Sequence, residues 1–219
     1  MKVLVFDTET TGLPTERNAS ITEVDKWPYI VQLSYILYDV IQKKMISCRD
    51  DIIEIDPQIN ISEKSIEIHG ITHKKCKRKG IPIKEAIQVF NDHLIKADIV
   101  VGHNISFDKR IIMVECIRNQ IRQQFTVNGE RKPECCTMRH FTETCNLRRV
   151  SQNGHIYLKY PTLSETYNHL FKVKPKNTHD AMADVIICLR CYVYGMHLKQ
   201  DISKEACGSL KELFALYCL

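Results

Sequence analysis

The opening stretch MKVLVFDTETTGLP constrains this chain more than any other, because an apolar strand signal runs straight into two acids. Residues 2–7 read as a strand buried on both faces, with Val3 to Phe6 as its apolar run. Side chains alternate along a strand, so Asp7 and Glu9 point to the same side. Two carboxylates beside each other at the edge of a core repel, and each loses hydration. Something positive must lie between them.

The remaining pattern supplies a sheet to hold that strand. Tyr29 to Tyr38 (YIVQLSYILY) reads as a second strand with polar interruptions at Gln32 and Ser34, and Met45 to Ile55 as a third. Short connections make the three neighbours in a meander. The loop from Leu13 to Pro28 is long for a hairpin, which points to function or mobility. Apolar residues at 83, 86, 87, 90 and 94 predict a helix over Pro82–Lys96. Ile99 to Val101 is a short parallel-type strand ending at Gly102. After Asn104 a helix begins, with Phe107, Ile111, Val114 and Ile121 on one face. Two Asn-Gly pairs, in QQFTVNGERK and RRVSQNGHIYLKY, signal hairpins, and Thr137 to Asn146 between them looks helical. Further helices are expected over residues 162–171, 179–197 and 203–216. The order of elements implies the α/β class, a mixed β-sheet flanked by α-helices. All 219 residues are read as one domain.

Composition narrows the setting. An apolar fraction of 44% and a charged fraction of 26% suit a globular protein in water. No apolar run approaches the roughly 18 residues a membrane span needs, and the opening apolar run is too short for a signal peptide. The expectation is an intracellular protein with no membrane association, in cytoplasm or nucleus, whose ten cysteines are reduced thiols. Net charge is +5, with cations clustered at Lys74, Lys75, Lys77, Arg78 and Lys79, at Arg131–Lys132, at Arg148–Arg149, and at Lys172, Lys174 and Lys176. Such clusters suit a solvated surface or an anionic polymer such as nucleic acid, and the first also reads as a nuclear-import signal.

More acids sit where a core face should be. In HDAMADVIICLRCYV the apolar stripe is Ala181, Val185, Cys188 and Tyr192, and Asp184 lies about 60° from Ala181 and about 40° from Cys188 on a helical wheel. Asp108 borders the face of Ile111 and Ile112, although an acid in the first helical turn is also favoured by the macrodipole. Acids are seldom buried without a partner, and loops at the carboxyl ends of strands are where α/β folds gather ligands. Four carboxylates at Asp7, Glu9, Asp108 and Asp184 would balance two divalent cations. Hard oxygen donors suit Mg²⁺ or Mn²⁺, and two such ions clamp the attacking and leaving oxygens of a phosphoryl transfer.

DTETTGL, VGHNISFD and HDAMAD, in this order and spacing, resemble the three exonuclease motifs of the DnaQ-like (DEDD) 3′–5′ exonucleases, which have a ribonuclease H-like fold. His179, five residues before Asp184, matches the histidine subclass (DEDDh), and HGIT at residues 69–72 looks like a family segment beside the active site. The resemblance covers residues 2 to about 195. It leaves unassigned an insertion at about 125–161 and a helical C-terminal segment at about 198–219.

The resemblance implies that Asp7, Glu9, Asp108 and Asp184 hold two Mg²⁺ or Mn²⁺ ions, with Asp7 bridging, and that His179 takes a proton from the attacking water. Thr178 or Asn177 would cap the last motif's helix and leave His179 in its first turn. It further implies main-chain contact near Glu9 and Thr10 with the terminal sugar hydroxyl, Leu13 wedged against the last base, and Phe107 lining the same pocket. His69 and Asn104 join the candidate substrate contacts, although Asn104 and Ser106 also read as cap and turn residues. Plain core packing is the other reading of Leu13 and Phe107. The basic segment with Arg148, Arg149, His155 and Lys159 is a candidate track for the strand backbone.

The implied function is metal-dependent 3′–5′ hydrolysis of single-stranded DNA ends to nucleoside 5′-monophosphates, of the proofreading or repair type. Two rivals stand beside it: an exoribonuclease with the same chemistry, and a non-catalytic nucleic-acid-binding or polymerase-partner module. Expected partners are single-stranded DNA or RNA 3′ ends, with a polymerase or repair partner as an open reading. Cys135, Cys136, His140 and Cys145 match no common zinc spacing, and Cys188 with Cys191 reads as helix packing.

Overall fold

Strand β1 (Lys2–Thr10) forms where the opening apolar run predicts it and continues past Asp7 to Thr10. The structure, a computed structural model, describes residues 1–175, 178–197 and 199–218. β2 (Ile30–Asp39), buried along its whole length, pairs antiparallel with β1 and with β3 (Lys44–Ile52), giving the expected meander. Helices α1 (Glu63–His69), α2 (His73–Lys79) and α3 (Ile83–Lys96) lead to β4 (Ile99–Gly102), which lies parallel to β1. After α4 (Ile105–Arg118) come the hairpin β5 (Thr126–Val127) and β6 (Glu130–Arg131), and then β7 (Glu134–Cys136). The short helices α5 (Thr137–His140) and α6 (Thr142–Cys145) precede a second ribbon, β8 (Arg148–Val150) and β9 (Ile156–Leu158). The described chain ends with α7 (Leu163–Phe171), α8 (Ala181–Met196), α9 (Ile202–Glu205) and α10 (Gly208–Tyr217).

The sheet order is β3-β2-β1-β4-β7, with β4 and β7 parallel to β1 and the meander antiparallel, so the predicted mixed sheet is correct. Alternation along β1 divides the core in two. Leu4 and Phe6 pack with Ile87, Phe90, Ile111 and Ile112 from α3 and α4. Val3 and Val5 face Val185, Ile186, Leu189 and Val193 from α8. The same alternation turns Asp7 and Glu9 toward α8 and Thr8 toward α4.

Several local readings need correction. The first Asn-Gly pair is a two-residue turn, with Asn128 at φ 53° and Gly129 at φ 82°. The second lies in a five-residue loop between Val150 and Ile156, where only Gly154 of the pair has positive φ (78°). Thr137–Asn146 breaks into α5 and α6 around Phe141, and the expected last helix divides into α9 and α10. Ile121 lies beyond the end of α4 yet still packs against its core. The unassigned C-terminal segment packs on the sheet's helical layer, with Leu210, Phe214 and Cys218 buried in the α8 core. Arg190 of α8 holds Asp201 through two 2.9 Å bonds. No helix among the described residues is long and apolar enough to cross a membrane. All ten cysteines are free thiols.

Because Phe214 is completely buried, Phe214→Ala should cost about 3–5 kcal/mol, measured by chemical denaturation. A loss well below about 1 kcal/mol would mean that α10 does not belong to this core.

Candidate active site

The acids on β1 meet acids from two helices. Asp184, in the first turn of α8, brings a carboxylate oxygen to Asp7 and Glu9, and one oxygen from each of the three lies within 4.8 Å of the others. Asp108 arrives from α4 on the opposite face and is 4% exposed. It stands outside that tight trio, because its Oδ1 accepts both the Thr8 N–H (3.1 Å) and the Thr8 hydroxyl (2.7 Å). A fifth acid, Asp180, caps α8 by accepting from the Met182 and Ala183 N–H groups at 3.1 and 3.3 Å.

Gathering these groups is unfavourable in the metal-free protein. Burial, then the charges of Asp108, Asp184, Glu9 and Asp180, push the Asp7 carboxyl well above the usual range. Glu9 is pushed up to about 8, first by burial and then by Asp184, Asp108 and Asp180. Burial raises Asp108 to about 7 against the pull of its Thr8 bonds. Asp184 also rises to about 7 through burial, although the backbone N–H of His179 donates to it and works the other way. Among the described residues no Lys or Arg forms an ion pair with any of the five. A crowded set of partly buried carboxylate oxygens, unpaired by any Lys or Arg among the described residues, fits a hard divalent ion, which needs oxygen donors and cancels their repulsion.

The start of α8 is held against the sheet from the next strand. Gln32, opposite Glu9 on β2, accepts from the Ala181 N–H (3.4 Å) and donates to Asp50 (2.7 Å), which also receives the Ser34 hydroxyl (2.7 Å). The polar interruptions of the second strand are therefore the supports of this site. A buried Gln and Ser two apart in an otherwise apolar strand is the signal that could have revealed them. Asp180, next to His179, was recognisable as a helix cap by residue type alone.

The capping expectation at Thr178 or Asn177 is corrected by this arrangement. Asp180 is the cap, Asn177 lies outside the described residues, and His179 precedes the helix with a left-handed φ of 74° and an exposed imidazole. A backbone bond, rather than a place in the first turn, ties His179 to Asp184.

Beside the acids opens a cleft of ≈ 580 Å³ walled by Thr8, Glu9, Thr10, Gly12 and Leu13 from β1 and its loop, by α1, and by Phe107. Leu13 is 80% exposed, so it is not core; Phe107 is half-buried and tilts against Trp27 at 6.4 Å. His69 accepts the Ile71 N–H on Nδ1 (3.0 Å), leaving Nε2–H to donate to the Thr10 carbonyl (3.2 Å). Burial lowers its pKa, which favours this neutral form. Lys64, Ser65 and Ile68 of α1 also wall the cleft; the sequence reading contained neither α1 nor α2. Asn104 stands apart: it is exposed, takes φ 67° at the start of α4, makes no side-chain cap and does not line the cleft. The first basic cluster forms α2, and Lys176 lies outside the described residues. Among the described residues the Cys135–Cys145 group forms no metal cluster, and Cys188 and Cys191 are buried in α8.

The sequence matches the RNase_T family model, described as an exonuclease, over residues 4–192. A comparison with curated protein sequences finds no match. Among solved structures, E. coli exonuclease I in complex with a dA16 oligonucleotide is similar over 90% of this chain and 41% of its own, at 15% identity and a TM-score of 0.63. The zinc-bound form of the E. coli exonuclease I–ssDNA complex is similar over 90% and 41%, at 18% identity and a TM-score of 0.64. Exonuclease I from Methylocaldum szegediense covers 93% of this chain and 42% of its own, at 18% identity and a TM-score of 0.62. The chain spans about two fifths of the length of these relatives, and the likeness is one of fold.

The raised carboxyls predict a pH dependence. Glu9 binds its proton more tightly folded than unfolded, so its contribution to metal-free stability is full below about pH 4.5 and is lost as pH rises from there through about 8. Glu9→Gln should flatten that decline in thermal melts in EDTA and leave the acid end unchanged. An unaltered slope would show that Glu9 does not carry the strain.

Proposed function

We propose, for a chain that belongs to the RNase_T exonuclease family, that it is a metal-dependent 3′–5′ exonuclease releasing nucleoside 5′-monophosphates from single-stranded ends, with DNA favoured over RNA. The observation that carries this reading is the convergence of Asp7, Glu9 and Asp184, with Asp108 beside them, next to an open cleft that Glu9 helps to wall. A non-catalytic module would gain nothing from a cluster of repelling acids. The DNA preference draws on exonuclease I, which is bound to a dA16 oligonucleotide in one complex and to ssDNA in another.

Two Mg²⁺ or Mn²⁺ ions held by Asp7, Glu9, Asp108 and Asp184 would neutralise the scissile phosphate and stabilise the charge that develops on the attacking and leaving oxygens. The chain's own residues do the rest. The exposed His179 imidazole takes the proton of the attacking water, the general-base role that an imidazole nitrogen can fill. Its backbone bond to Asp184 keeps base and acid together. Leu13 wedges against the terminal base, and Phe107 offers a ring face in the same cleft. His69 fixes the Thr10 carbonyl, so the main chain that meets the terminal sugar is set before substrate arrives. One domain built on the mixed sheet carries all of these groups, with residues 125–161 as its insertion.

A 5′-labelled strand, as DNA and as RNA, tests this with Mg²⁺, Mn²⁺ or EDTA. The expected result is a metal-dependent ladder shortening from the 3′ end, faster on DNA and abolished by Asp108→Asn. Absence of a ladder on both polymers would refute the nuclease reading, and a faster RNA ladder would reverse the substrate order. Leu13→Ala should lower kcat/KM about tenfold, since a buried Leu contact is worth roughly 1.5 kcal/mol or more. Its exposure predicts that thermal stability stays within about 0.5 kcal/mol of the parent.

A further inference from the structure

The ribbon of β8 and β9 has no part in the chemistry above, yet it is exposed at every position. Val150 is 67% exposed, Ile156 69%, Tyr157 49% and Tyr160 57%. So many large apolar side chains on one short segment mark a contact surface. The cross-strand register sets Arg149 opposite Tyr157 and Val150 opposite Ile156. Because side chains alternate, Arg149 and Tyr157 share one face, and the aliphatic pair lies on the other.

Charge identifies the occupant. Residues 147–160 contain Arg148, Arg149, His155 and Lys159 and no acid. Lys159 is held by Glu165, whereas neither arginine forms an ion pair among the described residues. A cation and an aromatic ring side by side, without a nearby acid in the segment, suit a polyanion that also carries stacking faces.

The root of the ribbon is tied to the active-site end of the sheet. Pro161, just beyond it, accepts a hydrogen bond from His103 Nε2 (3.0 Å), while the Thr137 hydroxyl donates to His103 Nδ1 (3.0 Å). His103 belongs to the turn between β4 and α4, the turn that leads to Phe107 and Asp108. Burial lowers the His103 pKa to about 4, so the neutral ring keeps both bonds through the neutral range.

We infer that the β8–β9 ribbon is a second contact for the single-stranded nucleic acid, outside the cleft, with Tyr157 stacking on an upstream base and Arg149 pairing with a phosphate. This rests on the nuclease reading and adds to it a preference for strands long enough to reach the ribbon.

The test is fluorescence-anisotropy binding in EDTA, so that no cleavage is needed, with labelled single strands of about 4 and about 16 nucleotides. Turnover of the short strand with Mg²⁺ is measured in parallel. Tyr157→Ala should raise Kd for the long strand about tenfold, leaving short-strand binding and turnover unchanged, while Tyr157→Phe restores affinity. Arg149→Gln should lower the slope of log affinity against log salt by about 0.7 on the long strand. Wild-type binding that neither variant alters would overturn the ribbon contact and leave the nuclease reading standing. Wild-type protein that binds and cleaves no strand would overturn both. Equal losses on short and long strands would also refute the inference, since the ribbon would then act through the fold. So would a dimer in sizing chromatography that Ile156→Ser dissociates with long-strand affinity unchanged, which would assign the surface to a second copy.

Discussion

Mutual repulsion among the partly buried carboxylates is the constraint around which this structure is arranged. Asp7, Glu9 and Asp184 are held within reach of one another although each would be more stable apart, and no Lys or Arg among the described residues pairs with them. Such strain persists only where the surroundings overdetermine the geometry. Here β1 is fixed between β2 and β4, α4 is packed on one face and α8 on the other. The side chains supply the last step. Thr8 fixes one oxygen of Asp108, Gln32 holds the first N–H of α8 to the sheet, and Asp180 closes the helix start. The apolar core is thus what makes the polar cluster affordable, and two half-cores of opposite facing are needed because the acids come from both sides of the sheet.

Much of this was legible from residue types and spacing. Alternation fixed Asp7 and Glu9 to one side of β1, and the wheel position of Asp184 marked an acid on the apolar stripe of α8. Leu13, Phe107, Thr10 and His69, named through a family resemblance, do line one cleft. What escaped had weak local signals. β7 is Glu-Cys-Cys, three residues that become a strand only because β4 offers an open parallel edge. α2 is almost all cationic and shows no apolar period, its burial resting on Cys76. Asn104 has a capping residue type but takes the left-handed turn into α4 instead.

The same contrast applies to the polar residues within apolar runs. Gln32 and Ser34 looked like interruptions of a strand, yet both are buried, and their hydrogen bonds connect β3, β2 and the start of α8. His103 does the equivalent work on the other edge, joining the β4–α4 turn to the segment after the ribbon. Hydrogen-bond partners distant in sequence leave no local pattern, so only the buried polar residue itself can be read in advance.

Calorimetric titration of the metal-free protein with Mn²⁺ tests the central claim most directly. Two ions per chain should bind at neutral pH, with protons released as the raised carboxyls ionise. Asp7→Asn, in the middle of the cluster, should abolish the tighter of the two. No saturable binding, or binding that Asp7→Asn leaves untouched, would contradict it and leave the repulsion among these acids without a physical reason.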